Sequence, residues 1–234
     1  MSSIIGLAGF SGSGKSTSLK YLDPKTTFII SCTNKQLQIP GFRKKYPKVK
    51  ITDGKLTGNW LVSNSYANIE KLMKIVSQTR PEITTVVIDD ANYLLSNETF
   101  ATALEKGYNK FSVMAKNYYD LIQMCLNLRD NLSVIFICHI ENAGTDDNPE
   151  YRMWSTGKML SQQINLDGLF SYLIYSERYI DENSNDEVKY RFRTRTNGND
   201  TCRAVEGCFK DKYIEPNMQL VLDTINKFET ESEQ

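Results

Sequence analysis

Gly9-Phe10-Ser11-Gly12-Ser13-Gly14-Lys15-Ser16-Thr17 decides how this chain is read, and the apolar run Ile4-Ile5-Gly6-Leu7-Ala8 leads into it. The pattern is Gly-x-x-x-x-Gly-Lys-Ser/Thr. Its context, a short buried strand before and the helix-compatible Ser18-Leu19-Lys20-Tyr21-Leu22 after, is what a phosphate-cradling loop requires. Glycines let the backbone curl until its N–H groups point at phosphate oxygens, and a helix N-terminus adds partial positive charge there. In this reading residues Gly9 to Thr17 hold a nucleotide, ATP. Lys15 reaches its β- and γ-phosphates, and the Ser16 hydroxyl sits on Mg²⁺. The bland alternative is a chance Gly/Ser turn.

A second stretch completes a site. Thr84-Thr85-Val86-Val87-Ile88-Asp89-Asp90 is a β-branched run ending in two carboxylates. Such a run suits a buried strand of a parallel sheet. Ligands in open α/β sheets sit beyond the carboxyl ends of the strands. Asp89 therefore falls where it can join the Mg²⁺ shell, and Asp90, pointing elsewhere, either orients the attacking water or caps the next helix. His139, the single histidine, ends the apolar run Ser133-Val134-Ile135-Phe136-Ile137-Cys138. It either senses the γ-phosphate or is satisfied by neighbouring backbone.

Composition narrows the class. The chain has 234 residues, enough for one α/β domain with a full core. Lys plus Arg and Asp plus Glu each number 28, so no global charge favours nucleic acid, although a local patch still can. No apolar run approaches the roughly 18 residues of a membrane helix. The five cysteines are scattered without metal-ligand spacing, and no secretory signal is visible. Together these point to a reducing, cytoplasmic setting with no membrane association.

Periodicity predicts strands near 26–31, 84–89, 133–138, 169–175 and 187–196, and helices over 66–78, within 97–130 with a break near Gly107, and over 218–228. Residues 34–65 read as irregular and 142–153 as a polar loop, with a short helix over 156–163. Asn197-Gly198 signals a hairpin into a strand near Thr201 to Ala204. The expectation is a P-loop NTPase of the α/β class. Its mostly parallel sheet is flanked by helices and extended by an antiparallel hairpin. Residues 1–228 form the domain and 229–234 an acidic tail.

Two basic segments are nucleic-acid candidates. Arg191, Arg193 and Arg195 share one face of a strand and could track a phosphate backbone, reach a neighbouring subunit's nucleotide, or pair with Asp181, Glu182, Asp186 and Glu187. Arg43 to Lys50 encloses Tyr46, a combination that suits single-stranded DNA, where bases stack and phosphates are neutralised. Trp154 either offers a stacking ring or anchors its loop, and Lys158 could reach a phosphate in an adjacent subunit.

The phosphate loop, Val86-Val87-Ile88-Asp89-Asp90, Glu105-Lys106-Gly107-Tyr108-Asn109-Lys110-Phe111, Cys138-His139-Ile140-Glu141 and Thr156-Gly157-Lys158-Met159-Leu160 together resemble the phage-encoded AAA-type nucleotide-binding proteins. These are RecA-like ATPases of replication and recombination clusters. The resemblance spans roughly residues 4 to 225. It implies Lys15 and Ser16 on phosphate and Mg²⁺, Asp89 on the metal, and His139 at the sensor tip. It also implies a homo-oligomer in the host cytoplasm that acts on single-stranded DNA with a single-stranded-DNA-binding protein. Many RecA-type recombinases carry a catalytic glutamate where this chain has Ser31-Cys32-Thr33-Asn34-Lys35. Asp90 or Glu141 must then substitute, or hydrolysis is slow. Two rivals stand beside the ATPase, a P-loop kinase of nucleotides or nucleosides and a non-hydrolysing ATP-binding loader. A RecA-like core places the strand ending at His139 between the two motif strands, whereas a kinase sets those strands side by side.

Overall fold

The structure, a computed structural model, describes residues 2–53, 55–157, 161–181 and 187–232. A central, mostly parallel sheet forms its middle layer. Its parallel strands are β1 (Ile4–Gly9), β2 (Thr27–Ser31), β5 (Trp60–Val62), β6 (Thr85–Asp89), β7 (Ser133–Asn142) and β9 (Tyr172–Asp181). β10 (Glu187–Arg193) and β11 (Tyr213–Ile214) extend it in antiparallel fashion. The order is β11-β10-β9-β1-β7-β6-β2-β5. β7 thus lies between β1 and β6, paired in parallel with both, as the RecA-like alternative requires and the kinase alternative does not.

β1, β2 and β6 are buried along their whole length, which is why each reads as a continuous apolar run rather than an alternating one. Alternation survives in which face each residue meets. Val134, Phe136 and Cys138 pack with α3 (Tyr66–Thr79) and α5 (Asn109–Leu126), whereas Ile135 and Ile137 pack with α6 (Met218–Ser232). α3 buries Ile69, Leu72, Met73 and Val76, the spacing of one helical face. Each such side chain, fully buried, contributes about 1.5–3 kcal/mol.

Several expectations change. Residues 34–65 contain α2 (Phe42–Lys45), a small hairpin of β3 (Lys50–Thr52) and β4 (Lys55–Thr57), and edge strand β5, all too short for periodicity to reveal. Residues 97–130 resolve into α4 (Asn92–Ala101) and α5, separated at Gly107, whose φ of 95° ends helical geometry. β8 (Tyr151–Met153) lies inside the supposed polar loop and pairs with the far end of β7. The helix expected over 156–163 falls partly outside the described residues.

Thr201 to Ala204 is not a strand. The Asn197-Gly198 turn forms, but Asp200 is drawn back onto Arg193, and Arg203 bridges Leu173 instead. β10 pairs on that side with β11. α6 runs on through Ser232, because Glu229 accepts a hydrogen bond from the Tyr172 hydroxyl and holds the last turns. The acidic tail therefore does not begin at 229. Among the described residues no helix is long and apolar enough to cross a membrane.

Candidate functional site

The loop Phe10 to Gly14 leaves the carboxyl end of β1 and enters α1 (Lys15–Ser18). Gly12 and Gly14 adopt φ of 75° and 93°, a region that costs an L side chain energy and glycine almost nothing. Gly9 is required by space, since a Cβ there would lie 2.4 Å from the Ser176 carbonyl oxygen. α1 is a single turn that passes into a 3₁₀ turn, Leu19–Tyr21. The helical path ends at Leu22, whose backbone is already extended with ψ of 141°, two residues before Pro24. The expected helix dipole is therefore slight. Loop N–H groups and Lys15 carry the positive potential instead.

Lys15 is buried and donates from Nζ to the carbonyl oxygens of Gly9 at 2.7 Å and Phe10 at 2.8 Å. Burial lowers its pKa to about 8 against the opposing pull of Asp90, Cys138 and Asp89. Ser16 Oγ donates to Asp89 Oδ1 at 3.2 Å, which brings the two expected metal ligands together. Asp89 shares the strand face of Val87, the side that carries α1. Burial, then the charge of Asp90, pushes its carboxyl up to about 7.

Asp90 leaves that strand direction at once. Its φ of 58° is rare for a residue with a Cβ, although aspartate tolerates it better than most. The turn lets the Ala91 N–H reach the Ile137 carbonyl at 2.9 Å and swings the Asp90 carboxylate across the strand tips. There Oδ1 lies 3.3 Å from His139 Nε2, and Oδ2 accepts from Thr33 Oγ1 at 3.2 Å and Lys35 Nζ at 3.4 Å. Burial alone would raise this carboxyl. The His139 hydrogen bond and the Lys35 ammonium outweigh it and hold the group at about 2. Asp90 is thus a fixed anion joining the tips of β2, β6 and β7, beside the Ser31 to Lys35 stretch that lacks a carboxylate.

His139 is fixed twice. Its backbone N–H donates to Asn92 Oδ1 at 2.7 Å, while its ring meets Asp90. Asn92, fully buried, also donates to the Trp154 carbonyl, and the Trp154 N–H donates to the His139 carbonyl at 2.8 Å. These bonds hold the Trp154 backbone, while its half-buried ring lies 6.2 Å from the Tyr93 ring. Glu141 is taken up by Arg152 across the β7–β8 pair at 3.4 Å, whereas Asp90 and Asp89 both act on the Lys15 ammonium.

The DNA candidates fare differently. Tyr46 is core, 1% exposed and 5.3 Å from the Phe42 ring, so the basic stretch has no aromatic to offer. Arg43, Lys44, Lys45, Lys48 and Lys50 remain exposed. The arginine stripe is not a free surface. Arg193 is 3% exposed and pairs with Asp200 at 2.8 Å and with Glu177, while Arg191 pairs with Glu177 and lies 3.7 Å from the Tyr213 ring centre. Arg195, beyond the end of β10, donates to the carbonyls of Phe209 and Lys210. Their partners are not the acids expected across the hairpin, because strand pairing sets Arg191 opposite Glu177. Lys158, Glu182 and Asp186 lie outside the described residues.

Sequence reasoning passed over Thr33, Lys35 and Asn92 as site residues. Asn92 carried a signal, a polar residue two places after paired aspartates. Thr33 and Lys35 carried none until β2 and β6 were seen to be neighbours. No protein-family model and no curated protein matches the sequence.

Proposed function

We propose that this chain is a P-loop nucleoside triphosphatase of RecA-like architecture, which binds Mg-ATP at Gly9 to Thr17 and hydrolyses it. The observation that carries this reading is the placement of β7 between β1 and β6. It gathers loop, Asp89, Asp90 and His139 at one end of the sheet.

The donor set fits Mg²⁺. Ser16 Oγ and Asp89 Oδ1 are hard oxygen ligands already adjacent. The described residues hold no cluster of three or more His, Cys, Asp or Glu able to bind a metal. The Ser16–Asp89 pair suits an ion that usually takes one or two protein ligands and completes its shell with phosphate oxygens and water. When bound, Mg²⁺ neutralises charge on the β- and γ-phosphates. Lys15 exchanges its loop carbonyls for phosphate oxygens. Asp90, ionised and pinned by three neighbours, orients the attacking water, and His139 donates toward the γ-phosphoryl group. A carboxylate held near 2 is a weak base, but phosphoryl transfer asks chiefly for positioning and charge stabilisation.

ATP turnover and affinity are measured on purified wild type, Lys15→Ala and Asp90→Asn, with and without single-stranded DNA. Lys15→Ala should lose both. Asp90→Asn should keep binding and lose roughly 10²-fold or more in kcat, the scale of a lost positioning or general-base group. Stimulation by DNA would support the single-stranded DNA partner through the exposed Arg43–Lys50 face. Wild-type turnover no greater than that of Lys15→Ala would sink the hydrolase reading and favour the non-hydrolysing loader or the kinase.

A further inference from the structure

We propose that the outer edge of β10 is a docking surface for a second copy of this chain, and that two copies pair edge to edge about a two-fold axis at Lys189. The inference is independent of the nucleotide reading.

β10 pairs with β9 from Glu187 to Arg193, but β11 covers its other edge only at Phe192 and Arg193. Successive residues of a strand direct their N–H and C=O groups to alternate edges. The Thr194 N–H bonds the Lys212 carbonyl at 3.0 Å, on the β11 side. Phe192, Tyr190 and Val188 therefore turn their backbone groups to that side as well. The ladder stops for a local reason. In the β10–β11 register Tyr190 would next meet Pro216, which has no N–H to donate. The Asn217 N–H then bonds the Glu215 carbonyl at 2.8 Å and turns the chain away. The sheet order ends at β11, so no described strand lies beside Val188 and Tyr190. Such an edge is a template for another strand.

Backbone chemistry selects the register. An antiparallel contact centred on Lys189 sets Val188 of each copy opposite Tyr190 of the other and engages every outward N–H and C=O of both residues. A contact centred on Tyr190 would instead set Val188 against Phe192, which already pairs with β11.

Side chains support the same register. On one face Ile180, Val188 and Tyr190 are 60%, 50% and 45% exposed, and Val188 stands directly opposite Ile180. The contact continues that row onto Tyr190 of the second copy, so exposed apolar side chains of both copies join in one strip. On the other face Glu187 lies directly opposite Asp181, a like-charge pair that disfavours the lone hairpin. Arg191 of the second copy falls opposite Glu187, at a position without ladder hydrogen bonds, where side chains approach most closely. Arg191 engages Glu177 through Nε, and a guanidinium has further donors to offer. The two Lys189 side chains meet at the axis, each already paired with its own Asp181, which moderates their repulsion. Both copies use the same edge, so the assembly closes at two. A Cβ on Gly14 would lie 3.2 Å from the Tyr190 ring, so the interface adjoins the phosphate loop.

The contact is small, so association should be reversible, with a dissociation constant of roughly 1–100 μM. Sedimentation equilibrium of the full chain measures it for wild type, Val188→Pro and Glu187→Lys. Val188→Pro removes an outward N–H and none that faces β9. It should melt like wild type and weaken association roughly tenfold or more, the scale of two hydrogen bonds lost per dimer. Glu187→Lys relieves the contact with Asp181 inside the chain. It should melt no lower than wild type and yet weaken association, opposite signs that a purely structural role would not give. Lys189→Cys sets two thiols directly opposite each other on the axis, close to disulfide reach, while the five native cysteines are buried. Mild oxidation should give a covalent dimer of Lys189→Cys on a non-reducing gel and little from Val188→Cys.

A wild-type monomer at every concentration overturns the inference. So does a mass beyond two copies, a dimer that Val188→Pro and Glu187→Lys leave intact, or faster cross-linking of Val188→Cys than of Lys189→Cys. Should Val188→Pro fail to fold, Glu187→Lys and the two cysteine variants decide. None of these measurements needs nucleotide, so their outcome stands apart from that of the ATPase assay.

Discussion

Asp89 and Asp90 are chemically identical neighbours held in opposite states. Asp89, which accepts from Ser16, is pushed up to about 7 by burial and the charge of Asp90, while Asp90 is held at about 2. Lys15 is lowered to about 8 by the same burial. Mg-nucleotide binding as proposed needs Asp89 ionised and Lys15 charged. Below pH about 7 binding must expel a proton from Asp89, and above about 8 it must supply one to Lys15. Each demand weakens affinity by up to about tenfold per pH unit. Mg-ATP affinity should therefore peak between about pH 7 and 8. Titration calorimetry across pH 5.5 to 9.5 (about two units of span on each side) checks this. Asp89→Asn should flatten the acid limb at a lower plateau, and an acid limb unchanged in that variant would place the titrating group elsewhere.

At the scale of elements, the β9–β10 hairpin shows how strand pairing reassigns residues that look alike in sequence. Arg191 and Arg193 share a face, yet one is half-exposed against tyrosine rings and the other is sealed between two carboxylates. Arg193→Ala leaves the buried Asp200 carboxylate without its cation and Glu177 with Arg191 alone, and should cost about 3–5 kcal/mol. Arg191→Ala should cost about 1 kcal/mol, the scale of a partly solvated ion pair with a cation–π contact. Denaturant unfolding of the two variants measures the difference. Equal small losses would mean that the Arg193 pairs are solvated after all. The alternation that placed these arginines on one face was legible in the sequence. Their partners were not, because Glu177 becomes a neighbour only when β9 and β10 pair in this register.

For the whole molecule, the sheet separates two cores, and the C-terminal helix closes one of them. Met218, Val221, Leu222 and Ile225 pack with Ile5, Leu7 and Ile174 and with Leu19 and Leu22, the residues just past the phosphate loop. Ile225 is fully buried, so Ile225→Ala should cost about 2–5 kcal/mol. Because the helix and the loop share this core, unfolding should stay a single transition with a lowered midpoint. Two separate transitions by circular dichroism and tyrosine fluorescence would show that α6 unfolds on its own.

The sequence by itself determined the local elements and suggested the class of chemistry proposed above. A glycine loop with Lys15 and Ser16, an apolar strand ending at Asp89, the apolar run that leads to His139 within β7, and the amphipathic helices α3, α5 and α6 are all written in short-range pattern, because backbone sterics and burial of one face act over a few residues. The strands β5, β8 and β11 were too short to leave such a pattern. Tertiary structure alone decided which strands are neighbours. From that follow the meeting of Asp90 with His139, Thr33 and Lys35, the sealing of Arg193, and the placement of Arg178 over Gly12. Those contacts join segments from six strands, β1, β2, β6, β7, β9 and β10. They arise from how whole faces pack and how crossovers wind, which no local window of residues encodes.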